Sequence, residues 1–259
     1  MQTLLGDAVG KQGLIMQLLS EHYHEERVWT ELQQEFAAND YVKLPRLIAS
    51  QAFTHIRTEL EYLRQFAAKR SFIMEEYDTP REMHTLGGLK ILKEAPTVWS
   101  LYCHHELRNL IQNIAGANVY SCLHPNEFMV ANYLLCAGAT HGWHLDDPAY
   151  ALILILEASS AEDGGSLEFI QNWEELCKDS CSFSKEKAEP IVARAREANR
   201  VQLRHHIAGD AYFLRADRCL HQVTALHRDG AYRMALNLAF EAVPNPTYGN
   251  TANKLYGED

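Results

Sequence analysis

The chain has 259 residues, 47% of them hydrophobic, enough to bury a substantial core and too many for a disordered segment. With 24 Lys+Arg against 34 Asp+Glu the formal net charge is −10, so a basic face for phosphate backbones would oppose the whole molecule's field, and nucleic acid is not an expected partner. Six scattered cysteines, Cys103, Cys122, Cys136, Cys177, Cys181 and Cys219, include no CxxC pair and read as reduced thiols in a cytoplasmic protein.

In chain order, Met1-Gln-Thr-Leu-Leu-Gly-Asp has neither the basic nor the apolar region of a signal peptide. From Leu14 to Phe36, Leu18, Trp29, Leu32 and Phe36 recur at helical spacing among charges. Ala52, Ile56, Leu60, Leu63 and Ala67 predict a second helix face. Cys103, Leu107, Leu110 and Ile114 predict a third, with Gly116 as its C-terminal cap. After Ala117 the pattern becomes short β-rich runs: Val119–Leu123, Glu127–Cys136, Ala149–Leu156, Ser166–Ile170, Val201–His206, Asp210–Leu214 and Tyr232–Glu241, with a helical excursion over Ser184–Asn199. No helix alternates regularly with these strands, which favours a sandwich or jelly roll over a parallel sheet. The longest apolar run, Ala149–Leu156, is far below the roughly 20 residues that span a bilayer, so no membrane partner is expected. The expectation is one α+β domain, a helical buttress over about 1–116 and a jelly-roll core over about 117–245; a homo-oligomer stays open.

The chemistry concentrates in Thr140-His-Gly-Trp-His-Leu-Asp-Asp-Pro148. His144 and Asp146 are two apart, so in an extended segment they project to one side and can grip one ion. Downstream stand His221 and, twelve positions on, Arg233. Two histidines and one carboxylate on one face of iron leave three positions open, as an iron(II) oxygenase needs for a chelating cosubstrate and dioxygen. The planar guanidinium of Arg233 suits the distal carboxylate of 2-oxoglutarate.

This ordered spacing resembles the iron(II)/2-oxoglutarate dioxygenases, whose pattern is His-x-Asp, a distant His and an Arg ten or more residues later. The resemblance implies a double-stranded β-helix core, with Fe(II) on His144, Asp146 and His221, 2-oxoglutarate on Arg233, and O2 as oxidant. His141-Gly-Trp-His-Leu-Asp-Asp-Pro, with Glu127 upstream, Arg81 in Thr79-Pro-Arg-Glu and Asn237 downstream, is similar more narrowly to the BesD-type family acting on free basic amino acids, above all lysine. Its halogenases carry glycine where the iron-binding carboxylate would stand; here that position is Asp146, as in the hydroxylase branch. The resemblance implies hydroxylation of lysine, leaning to C4, in a pocket of Glu127, His141, Asp147, Arg81 and Asn237. Carboxylates suit the ammonium groups of such a substrate, and a cation or amide suits its carboxylate. Strand parity puts Asn237 on the face of Arg233, and Tyr133 on that of Glu127, bordering the cosubstrate.

Taken singly, the pocket residues have other readings. His141 fits a hydrogen-bonded loop histidine, Glu127 a solvated strand end, and Arg81 a charged turn beside Pro80, with a surface ion pair worth about 0–1 kcal/mol. His22, His24, His104, His105, His205, His206 and His227 read as histidines in polar surroundings with no catalytic part, and Cys177 and Cys181 as structural or surface thiols. Competing functions are a dioxygenase for ornithine or a peptide side chain, a non-enzymatic metal-binding sensor, and a zinc hydrolase; the last two leave Arg233 without a purpose.

Overall fold

The computed structural model describes residues 16–177, 188–249 and 251–256. A single 3-10 turn leads into α1 (Glu26–Asn39), and Asp40, left-handed at φ 50°, turns the chain into strand β1 (Tyr41–Pro45). In α2 (Ser50–Leu63) the stripe Ala52, Ile56, Leu60 and Leu63 is buried as expected. The hairpin β2 (Ala68–Met74) and β3 (Thr79–Leu86) precedes α3 (Gly88–Glu94), α4 (Pro96–Tyr102) and α5 (His105–Ala115). The last ends at Gly116, whose φ of 63° supplies the expected left-handed cap. Then follow β4 (Tyr120–Ser121), β5 (Met129–Leu134), β6 (Thr140–His144), β7 (Tyr150–Ala158) and β8 (Leu167–Ile170). Helices α6 (Glu174–Cys177) and α7 (Ala188–Glu197) form an excursion before β9 (Gln202–Arg204), β10 (Asp210–Leu214), β11 (Leu220–Val223), β12 (Arg233–Glu241) and the short α8 (Thr251–Tyr256).

All strand pairings are antiparallel. One sheet runs β1-β10-β7-β12-β5 and the facing one β6-β11-β8-β9. Strand β3 joins them, pairing with β5 through His84–Leu86 and with β6 through Arg81 and Glu82. This curled arrangement is the double-stranded β-helix expected from the sequence. Along β7, Tyr150, Leu152, Leu154 and Leu156 pack with the helices, while Ala151, Ile153 and Ile155 fill the space between the sheets. A strand covered on both faces reads as a continuous apolar run, the pattern of Ala149–Leu156. On the far side, α6 and α7 cover the outer face of the second sheet, burying Ile191 and Val192 against Trp143 and Leu220.

Several expectations are corrected. The first 116 residues are not simply a helical buttress, since β1, β2 and β3 lie there. The inward face of β3 is Thr79, Arg81, Met83 and Thr85, too polar to show hydrophobic alternation, and β1 is only five residues long. Predicted strands exist but are trimmed, Val119–Leu123 to Tyr120–Ser121 and Val201–His206 to Gln202–Arg204. Strands β6 and β11 escaped the reading because polar residues interrupt their short sequences. Cys103 is exposed and precedes α5, and Cys177 is buried under α7. Leu14, Cys181 and the start of the Ser184–Asn199 excursion lie outside the described residues. Among the described residues no helix is long and apolar enough to cross a membrane.

Candidate metal and cosubstrate site

His144 ends β6 and His221 lies in β11, and the two are register partners across that antiparallel pair. Asp146 follows two residues after β6, its backbone N–H bonded to the Ala216 carbonyl, which turns the carboxylate back toward the histidines. One ligand atom from each of His144, Asp146 and His221 lies within 4.8 Å of the others, the one such group found among the described residues. Asp146 Oδ1 is 3.4 Å from His144 Nε2 and 3.9 Å from His221 Nε2.

Backbone carbonyls set the orientation of both rings. His144 Nδ1 is 2.7 Å from the Gly142 carbonyl and His221 Nδ1 2.9 Å from the Cys219 carbonyl. Each Nδ1 is thereby the donor, which leaves the Nε2 lone pairs facing Asp146, as a metal requires. Burial, followed by the neighbouring His221, pushes His144 down to about 4, so its imidazole is neutral at ordinary pH. Burial opposes ionisation of Asp146, but its contacts with His144 and the neighbouring His221 and Arg81 outweigh it and hold the carboxyl below its usual value. A neutral His144 nitrogen and an anionic Asp146 oxygen are the ionisation states that ligands to a divalent cation need.

These three side chains line a small cavity of about 40 Å³, whose wall also carries Arg233, Asn237, His141, Asn132, Tyr212 and Tyr256. On β12, Arg233, Ala235 and Asn237 face inward as parity predicts, while Met234, Leu236 and Leu238 join the helix-side core. Arg233 is buried with a side-chain hydrogen bond to Tyr212 and forms no ion pair with a carboxylate among the described residues. It is thus available to an anion entering the cavity.

The other predicted residues divide. Arg81 is no surface turn residue: it is 1% exposed on β3, opposite His141 in register. Burial lowers its guanidinium to about 10, partly offset by Tyr256, Tyr77, Asp146 and Glu76. His141 stacks on His144 at 3.9 Å, and burial, then the charges of His144 and Arg81, holds it well below the usual imidazole range. Glu127 is buried in the turn before β5, and burial, then Asp146, Asp147 and Glu241, raises its carboxyl to about 9. Asp147 is exposed, and it accepts the Gly249 N–H at 2.9 Å rather than lining the cavity.

Tyr133 is misplaced by the sequence reading. Glu127 precedes β5, so strand parity does not link the two, and Tyr133 points into the helix-side core with its hydroxyl donating to the Leu60 carbonyl at 2.8 Å. The inward residue is its neighbour Asn132, the one polar amide in Met129-Val-Ala-Asn-Tyr-Leu134; that isolated polarity was the available signal. Tyr256 reaches the cavity from α8 without any local signal. His206 is likewise not in polar surroundings but buried between Tyr41 and Tyr212.

The observation that tests whether ligands fit is a set of orphaned polar atoms. Arg81 Nε and Nη2, Glu127 Oε2, Asn132 Oδ1, His141 Nε2 and Asn237 Oδ1 are buried without a hydrogen-bond partner. Asn132, His141 and Asn237 line the cavity itself, and Arg81 and Glu127 feel the charge of Asp146 beside it. Buried polar groups left unpaired cost about 1–3 kcal/mol each, so this group suits a polar ligand that satisfies them. Together with the His144–Asp146–His221 donor set, they fit a cation and a charged small molecule.

The family described as Halogenase D matches residues 23–256. No curated protein matches the chain in sequence. Among solved structures, the epimerase SnoN in complex with Fe3+, alpha ketoglutarate and nogalamycin RO is similar at a TM-score of 0.64 and 14% identity, over 88% of this chain and 90% of that one. The alpha ketoglutarate dependent carbocyclase SnoK from nogalamycin biosynthesis has a TM-score of 0.63 and 16% identity, over 85% and 88%. A prolyl hydroxylase from Trichoplax adhaerens, in complex with a hypoxia inducible factor peptide fragment, has a TM-score of 0.59 and 13% identity, over 83% and 90%. At such identities the shared property is the fold.

Proposed function

From the premise that the chain belongs to the halogenase D family, we propose that it is an iron(II)/2-oxoglutarate-dependent oxygenase that hydroxylates a free basic amino acid, lysine above all, with the reaction leaning to C4. The observation that carries the reading is the convergence of His144, Asp146 and His221 beside a buried Arg233 that has no carboxylate partner among the described residues. In this reading iron(II) is held by the three ligands, and 2-oxoglutarate reaches Arg233 through its distal carboxylate. The bound metal and cosubstrate supply the oxidising chemistry with O2, and 2-oxoglutarate leaves as succinate and CO2. The chain's contribution is positioning, because the carbon attacked is the one held nearest the metal.

For the substrate, Arg81 and Asn237 offer donors to a carboxylate and Glu127 an acceptor to an ammonium group. Asp147, exposed at the margin, is the weakest member of that set, and Asn132 and Tyr256 are additional wall residues. Asp146 favours hydroxylation over halogenation: its carboxylate occupies the position a halide would need, and Asp147 is engaged with Gly249 and does not replace it. The whole chain acts as one catalytic domain in this reading, since Leu60 of α2 and Leu236 of β12 share one core. The deciding experiment is mass spectrometry of products after anaerobic loading with iron and 2-oxoglutarate, addition of lysine and exposure to oxygen. Hydroxylysine and succinate in equal amounts are expected; consumption of neither substrate overturns the reading.

A further inference from the structure

Beside Arg233, and reached through Tyr212 of the same cavity wall, lies a second group of buried polar side chains with a different character. The Tyr212 hydroxyl is hydrogen-bonded to Arg233. The Tyr212 ring is stacked on His206, with centroids 4.5 Å apart and planes inclined by 28°. His206 Nε2 lies 2.9 Å from the Tyr41 hydroxyl in a buried hydrogen bond, and Tyr41 in turn stacks on Phe169 of β8 at 5.0 Å. The series runs from edge strand β1 to β12 and touches both sheets.

We propose that His206 is a positioning residue for the cosubstrate, holding the Tyr212 ring, and through its hydroxyl the Arg233 guanidinium, in the orientation that receives a dicarboxylate. This rests on the reading that Arg233 takes the distal carboxylate of 2-oxoglutarate. The choice of residue follows from the neighbourhood. Burial, then the positive charges of Arg233, Lys43, His205 and Arg204, pushes the imidazole down to about 3, so the ring stays neutral and adds no repulsion beside Arg233. A phenylalanine could supply the flat face but would leave the Tyr41 hydroxyl without this partner in a buried place. An arginine held by one phenol and no carboxylate retains swivel freedom, and fixing that phenol from behind removes it before the ligand arrives.

The test measures equilibrium binding of 2-oxoglutarate, and separately of lysine, by calorimetry on the full chain loaded with Mn(II) in place of iron, so that no turnover is involved. His206→Ala is expected to weaken 2-oxoglutarate about tenfold, the scale on which outer supporting partners act, and lysine by less than about twofold. Adding His206→Ala to Arg233→Lys should bring no further loss, because both act on one contact. His206→Phe and Tyr41→Phe each break the same hydrogen bond while keeping the rings. Each should weaken 2-oxoglutarate about threefold, and the double variant no more than either alone. If His206→Ala does not fold, this second cycle decides. Unchanged 2-oxoglutarate affinity, additive losses, or equal weakening of lysine overturns the role of His206. Should Arg233→Lys itself leave 2-oxoglutarate binding unchanged, the Arg233 reading fails instead, and the two failures are told apart.

Discussion

Two groups of buried polar side chains near the site are in opposite states of satisfaction. In one, Arg233, Tyr212, His206 and Tyr41 bond or stack with one another. In the other, Arg81, Glu127, Asn132, His141 and Asn237 each keep at least one buried atom without a partner among the described residues. A satisfied network rigidifies its members, whereas unpaired buried groups carry a free-energy cost that a polar ligand or ordered water relieves. On the proposed function, the first group is scaffold for the cosubstrate contact and the second is where selectivity resides. The metal ligands share a cavity with members of both groups, their Nδ1 atoms tied to carbonyls and their Nε2 atoms facing Asp146.

The largest effect should come from the metal ligands, which share the cavity with members of both groups. His144→Ala or His221→Ala is expected to abolish iron-dependent hydroxylation while leaving the far-ultraviolet circular dichroism intact, because neither ring is a large part of the apolar core. Near-parental turnover by either variant would remove that residue from the metal.

Next comes Asp146. The parent should give hydroxylysine as its main product even in abundant chloride, read by mass spectrometry. Asp146→Gly should lose most hydroxylation and gain at most a trace of chlorination, since a halide also needs surrounding partners that one substitution does not install. Chlorolysine as the parent's main product would falsify the hydroxylase assignment.

Within the unpaired group, Glu127→Gln should weaken lysine by about 1–3 kcal/mol and norleucine far less, since only lysine presents a cationic side chain. The pH dependence follows from the carboxyl raised to about 9. Free Glu127 holds its proton at neutral pH and gives it up to receive an ammonium, so lysine binding should release protons, seen as a dependence of the calorimetric heat on buffer ionisation. For stability the sign is that of a raised acid. Below the unfolded carboxyl value both states are protonated, while between that value and about 9 the folded chain keeps a proton that the unfolded one sheds. Glu127→Gln should accordingly raise the melting temperature at pH 8 and not at pH 4.

The smallest effect concerns the seam holding Arg81. A Cβ on Gly142 would stand 2.8 Å from the Pro80 carbonyl oxygen and 2.9 Å from Thr79 Cβ. Gly142→Ala should force β3 and β6 apart, cost about 1–3 kcal/mol in denaturant unfolding, and weaken lysine more than 2-oxoglutarate.

Much of the site was legible because some chemistry imposes spacing. His144 and Asp146 are two apart, and Arg233 and Asn237 share strand parity, so local geometry alone aligns them. Arg81 looked like a surface turn because a polar inward face erases the period-two signal that marks a strand. Parity failed for Tyr133 because Glu127 precedes β5, and a rule of alternation has no meaning across a turn. His206 carries no local signal because its partners, Tyr41 and Tyr212, are 165 and six positions away in sequence.

The sequence by itself determined a run of short strands fit for a sandwich or jelly roll, the helix faces of α2 and α5 and the pairing of His144 with Asp146, because period, cap and spacing are local properties, while the family resemblance implied the double-stranded β-helix, the iron triad and the arginine expected on the cosubstrate. Only the tertiary structure decided that β3 bridges the two sheets, that Asn132 rather than Tyr133 faces the cavity, and that Tyr256 of α8 reaches its wall. Those facts depend on which distant strands pair and which face of each is turned inward. Pairing is settled by burying the whole chain's apolar surface at once, so no single segment carries the information.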